Sequence, residues 1–239
     1  MCDCQSSAAL PATSRRRLLG GAAALAALAS GADAFAADSP LPDNRIGGDA
    51  ALQRLVQGNL RYSQGRQTQR DFSVGRVART SGQKPFAAIL ACADSRVAPE
   101  LAFDQGPGDL FVVRLAGNFV NDDAIASMEY AAKFLDVPLI MVLGHSNCGA
   151  ISATIKVLQE NAVLPGHLPG LVASIRPAVE AASRREPASL LQAATEQNVR
   201  QSVARLATSA PILGGMAASG AVKVVGGIYD LATGRVSMV

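Results

Sequence analysis

The sequence predicts an α/β fold: a single domain with a mostly parallel β-sheet flanked by helices, preceded by a helical N-terminal arm. Three observations carry that expectation. Short, continuous apolar runs of the kind found in strands buried on both faces recur along the chain. They alternate with segments of helical composition, which implies a parallel sheet with right-handed crossovers. The chain has 239 residues, 49% hydrophobic and 17% charged, enough for one sizeable core.

The elements follow in order. Over residues 49–65, Leu52, Leu55, Val56 and Leu60 recur at helical spacing and predict the N-terminal helix. After a basic loop, 86–91, 110–114 and 139–143 are apolar runs of strand length, each expected to be covered on both faces. Between and after them, 98–103, 125–135 and 150–160 have helical composition, and Val137-Pro138 marks the entry to the third strand. Residues 168–183 and 189–207 predict two further helices separated by Glu186-Pro187; 222–229 is a last apolar strand, with 236–239 as its partner.

Residues 1–36 read as an address rather than as structure. Ser14-Arg15-Arg16-Arg17-Leu18-Leu19 precedes a weakly hydrophobic Gly/Ala/Leu stretch, and Ala34-Phe35-Ala36 offers the small residues that signal peptidases accept. This resembles a twin-arginine signal peptide, with 37–239 as the folded domain and the periplasm as its destination. Beyond the leader no apolar run is long enough to span a bilayer. A formal charge of +3 gives no case for nucleic-acid binding.

Export makes the cysteines informative. Cys2 and Cys4 would leave with the leader, so Cys92 and Cys148 remain, either as a disulfide or as metal ligands. Cys92 follows the first core strand and Cys148 comes shortly after the third, at the strand ends where open α/β sheets bind ligands. The turn Gly144-His145-Ser146-Asn147-Cys148-Gly149 sets an imidazole and a thiolate three residues apart. Zinc favours such sulfur and nitrogen donors, and a catalytic site uses three protein ligands with one position left for water. Asp94 is the natural fourth group: it either ligates Zn²⁺ in a closed state or is held off it by a bidentate pair with Arg96. A disulfide and a purely structural zinc site are the alternatives.

Cys92-Ala93-Asp94-Ser95-Arg96 and His145-Ser146-Asn147-Cys148-Gly149 resemble the two signature blocks of the β-class carbonic anhydrases, and the similarity extends from about Asp49 to about Asp230. The resemblance implies reversible hydration of carbon dioxide to bicarbonate through a zinc-bound hydroxide. It assigns Cys92, His145 and Cys148 as Zn²⁺ ligands and Asp94 and Arg96 as the catalytic dyad. Gln83 matches the position whose amide bonds bicarbonate, and Phe111 and Tyr130 match aromatic positions that wall the substrate pocket, part of that wall coming from a partner subunit. A homodimer or homotetramer is expected. The chain has no Trp, and Ile89 stands where regulated members carry one, so the constitutively open form of the site is expected. His167 reads as a surface histidine. Hydrolysis of carbon disulfide or carbonyl sulfide, and zinc binding without catalysis, are the rival functions.

Overall fold

Two strands, β1 (Ala87–Cys92) and β3 (Leu139–His145), are buried at every position, and the sheet grows outward from them. The computed structural model describes residues 44–239, so the signal-peptide reading of residues 1–36 lies outside the described residues. With β2 (Leu110–Leu115), β4 (Lys223–Tyr229) and β5 (Val236–Met238), the strands form one five-stranded sheet in the order β2-β1-β3-β4-β5. The first four run parallel, and β5 returns antiparallel to β4.

Seven helices are described: α1 (Gly48–Ser63), α2 (Pro99–Ala102), α3 (Asp122–Phe134), α4 (Gly149–Glu160), α5 (Leu168–Ser183), α6 (Leu190–Thr208) and α7 (Leu213–Ala218). None is long and apolar enough to cross a membrane. Alternate residues of a strand face opposite sides, so β1 and β3 feed two cores. Ala88, Leu90, Ile140 and Val142 pack with α3, α6 and α7, whereas Ala87, Ile89, Leu139, Met141 and Leu143 pack with α1 and the α2 region around Phe103. A third cluster, with Ile151, Ile175, Val179 and Ala194, surrounds Cys92 and Cys148.

Two glycines let α6 lie close to the sheet. A Cβ added at Gly144 would sit 2.7 Å from Val199 Cγ2, and one at Gly226 would sit 2.6 Å from Val199 Cγ1. Neither position has room for a side chain.

The structure departs from the sequence reading in four places. β2 is the edge strand and is half-exposed rather than covered on both faces: its side chains reach both cores, but only β1 lies beside it. α3 starts at Asp122, three residues early, because Asn121 accepts a cap bond from Ala124 N at 2.9 Å and two aspartates occupy the first turn. Cys92 and His145 close their strands instead of following them. The Gly-rich α7 and a 3₁₀ turn at Ala78–Ser81 carry no periodicity that would have announced them.

Candidate metal centre

Parallel strands β1 and β3 are hydrogen-bonded neighbours, so their carboxyl ends deliver Cys92 and His145 side by side. The chain then turns through Ser146 and Asn147, the latter in the left-handed region at φ 55°, and brings Cys148 back as the residue capping α4. Ser146 pins this turn from both sides: its N–H donates to Tyr229 O at 2.9 Å, and its hydroxyl accepts from Leu231 N at 2.9 Å.

The ligand atoms of Cys92, His145 and Cys148 all lie within 4.8 Å of one another, and all three residues are buried. Both cysteines are free, which sets the disulfide alternative aside. Hydrogen bonding from Cys148 lowers the Cys92 thiol to about 4, with the N–H groups of Gly117 and Asp94 adding to it against burial. Cys148, which gives that bond and is itself desolvated, is pushed up. A cation at this point would take both sulfurs as thiolates.

His145 supplies the test of fit. Its Nδ1 lies 2.9 Å from the carbonyl oxygen of Ser146, an acceptor only, so the proton belongs on Nδ1. Nε2 is therefore a bare lone pair, fully buried and without a hydrogen-bond partner. Orphaned buried acceptors are rare in folded proteins. Two thiols and one unprotonated imidazole nitrogen converging on one point are a zinc donor set.

Asp94 stands next to this point, its Oδ2 3.8 Å from His145 Nε2. Arg96 grips it bidentately: Nε donates to Oδ1 at 2.9 Å and Nη2 to Oδ2 at 2.7 Å, while the backbone N–H of Arg96 adds a third bond to Oδ1 at 2.9 Å. These donors hold the Asp94 carboxyl well below the usual carboxylate range. The bidentate Asp94–Arg96 pair expected from the sequence is thus made.

Arg114 and Gly117 also belong to the site and were not singled out from the sequence. Arg114, the charged residue within the apolar run of β2, donates to the carbonyls of Cys92 at 3.0 Å and Asp94 at 2.6 Å, and so ties down the Cys92–Asp94 backbone. Gly117 donates its N–H to Cys92 Sγ at 3.2 Å. A charged residue at the end of an otherwise apolar strand was the available signal.

The remaining predicted residues lie elsewhere. Phe111 pairs in register with Ala88 and Leu115 with Cys92, which sets Phe111 four positions, about 13 Å, back along the sheet. Its ring meets that of Tyr130 at 6.2 Å between centroids, and Tyr130 meets Phe134 at 5.6 Å. Tyr130 and Phe134 are 46% and 72% exposed. Gln83 is exposed on the approach to β1, and His167 is exposed where α5 begins. Within one chain these four are not gathered around the metal ligands.

Residues 87–236 match the family model described as carbonic anhydrase. The chain belongs to the β-class carbonic anhydrase family. It is 39% identical over 187 residues to carbonic anhydrase 2 of Mycobacterium tuberculosis, covering 78% of this chain and 90% of that protein. Among solved structures it is similar to the β-carbonic anhydrase CcaA, with TM-score 0.59, 31% identity and coverage of 78% and 94% of the two chains. It is also similar to a Coccomyxa β-carbonic anhydrase in complex with acetazolamide, with TM-score 0.62, 30% identity and coverage of 70% and 77%. The family is that of a lyase acting on carbon dioxide, and the Cys-His-Cys cluster is its zinc site.

Proposed function

We propose that Asp94, held by Arg96, orients the reacting water for carbon dioxide hydration at the Cys92-His145-Cys148 site, and that the chain works as an exported homo-oligomer. One observation carries the catalytic part: the bare His145 Nε2 and two thiols converge beside a carboxylate whose oxygens are both already bonded to Arg96.

Zinc at the three ligands supplies Lewis acidity, which makes water acidic near neutral pH. The two sulfurs donate more charge than imidazoles would, so hydration improves toward alkaline pH. Asp94 stays ionised at every working pH and is too weak a base to carry the released proton away. Its Oδ2 instead accepts a hydrogen bond and aims a lone pair, while Arg96 holds the carboxylate back from becoming a fourth ligand.

Carbon dioxide needs little more than a dry wall and one orienting donor. Phe111, Tyr130 and Gln83 have that chemistry, and their place at the far end of the strands fits a wall offered to the site of a second copy. The exposed rings of Tyr130 and Phe134 support an interface there. On α1, Val56 and Leu60 are 44% and 50% exposed, although Ala51 and Leu55 anchor the helix on its own chain; this suits an arm laid on a neighbour.

Stopped-flow hydration from neutral to alkaline pH, with zinc measured on the same sample, tests the enzyme; one zinc per chain without hydration refutes it. Mixing Cys148→Ser with a Phe111→Ala/Tyr130→Ala variant tests the shared wall, since only a site built from two copies regains activity. Replacing Arg15, Arg16 and Arg17 by lysine should strand the protein in the cytoplasm of a twin-arginine-competent host; unchanged fractionation would remove the export reading.

A further inference from the structure

We propose that Asn198 is a positioning residue that, through Gly117, sets how strongly the Cys92 sulfur donates to the metal. The inference rests on the zinc reading above.

The bond from Gly117 N–H to Cys92 Sγ, at 3.2 Å, is given by a residue 25 positions away in sequence, in the loop that leaves β2. That loop is not free to choose its shape. Gly117 adopts φ 84°, and a Cβ there would lie 2.5 Å from Ile175 Cδ1 and 3.0 Å from Ala150 Cβ, so α4 and α5 press on it directly. From the other side α6 holds it twice. Asn198 Nδ2 donates to Gly117 O at 2.9 Å, and Arg205, two turns further along the same face, donates through Nη1 to Val120 O at 2.8 Å.

Asn198 is an improbable residue for its position on other grounds. It is 4% exposed in the middle of a helix, where asparagine has poor helix propensity and where an unmatched amide is costly. Its neighbour Val199 fills the notch left by Gly144 and Gly226, so the close approach of α6 to the sheet delivers Asn198 to the Gly117 carbonyl. The route from α6 to the ligand sulfur is one glycine long.

A hydrogen bond to a thiolate takes up part of its negative charge, leaving less to give the metal, and hydrogen bonding around ligand sulfurs tunes metal centres in this way. With Asn198 removed, Gly117 loses the anchor on its carbonyl, its N–H drifts from Cys92, and the sulfur becomes the stronger donor. Arg205, by contrast, holds Val120, beyond the residue that touches the sulfur.

Asn198→Asp keeps the side-chain shape but removes the donor, and Asn198→Ala removes the amide with good helix propensity, so a fold lost in the first is read in the second. Ser202→Ala, also buried on α6, provides the baseline for disturbing the helix. The readout is the thiolate-to-metal charge-transfer band of the full-length cobalt(II)-substituted enzyme. The Asn198 variants should shift this band to longer wavelength and lower kcat roughly tenfold with KM unmoved, the scale typical of lost outer-shell partners. Ser202→Ala should leave both in place. An Asn198 variant that folds, loads cobalt and keeps the wild-type band overturns the proposal, whatever its melting temperature. Wild-type protein that takes up no cobalt or zinc would instead overturn the metal reading.

Discussion

Asp94 and Asp104 are two carboxylates in the same condition: arginines hold each below its ordinary pKa. Asp94 sits in the metal centre, bound by one arginine two residues away whose side chain is 54% exposed. Asp104 sits at the end of α2 with a side chain only 1% exposed, bound by Arg61 and Arg70 and by the backbone and hydroxyl of Thr68. Burial pushes its carboxyl up, but these donors bring it down to about 2. A depressed pKa therefore does not mark an active carboxylate. Asp94 differs in what it faces: a bare imidazole nitrogen and two thiols rather than a closed set of partners.

Removing a ligand should give the largest effect and shows what Asp94 serves. Cys148→Ser should lose zinc by elemental analysis and lose hydration activity by more than the roughly 100-fold that outer-shell changes cost. Retention of one tightly held zinc per chain would deny Cys148 its place.

The two aspartates should then separate cleanly. Asp94→Asn should lower kcat by about 100-fold, while the urea midpoint hardly moves, because exposed ion pairs contribute about 1 kcal/mol or less. Asp104→Asn should do the reverse. It leaves two arginines facing a neutral amide and should lose about 3 kcal/mol of stability, with kcat of the folded enzyme unchanged. Loss of activity in both, in proportion to stability, would erase the distinction.

The pH dependence sharpens it. Asp104 is depressed from 3.8 to about 2 by folding, so its contribution is fully present above the unfolded value and is lost as pH falls through the folded one. About 2 kcal/mol should disappear between roughly pH 4 and pH 2. In Asp104→Asn this acid limb should flatten, which urea titrations across that window would show.

The same contrast explains what could be read in advance. Asp94 and Arg96 are neighbours in sequence, and His145 and Cys148 share one turn, so two short stretches of sequence contained most of the metal centre. Asp104 finds Arg61 and Arg70 across 43 and 34 residues, and Asn198 reaches Gly117 across 81. Those partners become neighbours only when the sheet order is known. The alternation of apolar runs announced the strands and their parallel sense, but strand order is a tertiary choice, which is why β2 read as a covered strand and stands at the edge. Phe111 and Tyr130 meet each other at the far end of the strands, away from the metal ligands, a placement that also depends on strand register rather than on the sequence alone.

Arg96→Lys is the smallest test and the most specific. Lysine keeps the charge beside Asp94 but replaces a planar fork by a single point donor. If charge alone held the carboxylate, activity would survive intact. The geometry argues otherwise, because Nε and Nη2 each take one carboxylate oxygen and together fix the plane in which Asp94 lies. A lysine would leave one oxygen free to swing toward the metal, 3.8 Å being already the distance from Oδ2 to His145 Nε2. Activity should fall about tenfold, a smaller loss than in Asp94→Asn. It should fall without any change in urea midpoint, and the change in coordination should be visible in the ligand-field bands of the cobalt enzyme. Wild-type bands and wild-type kcat in Arg96→Lys would reduce the arginine to a counter-charge and place the two aspartates back in one class.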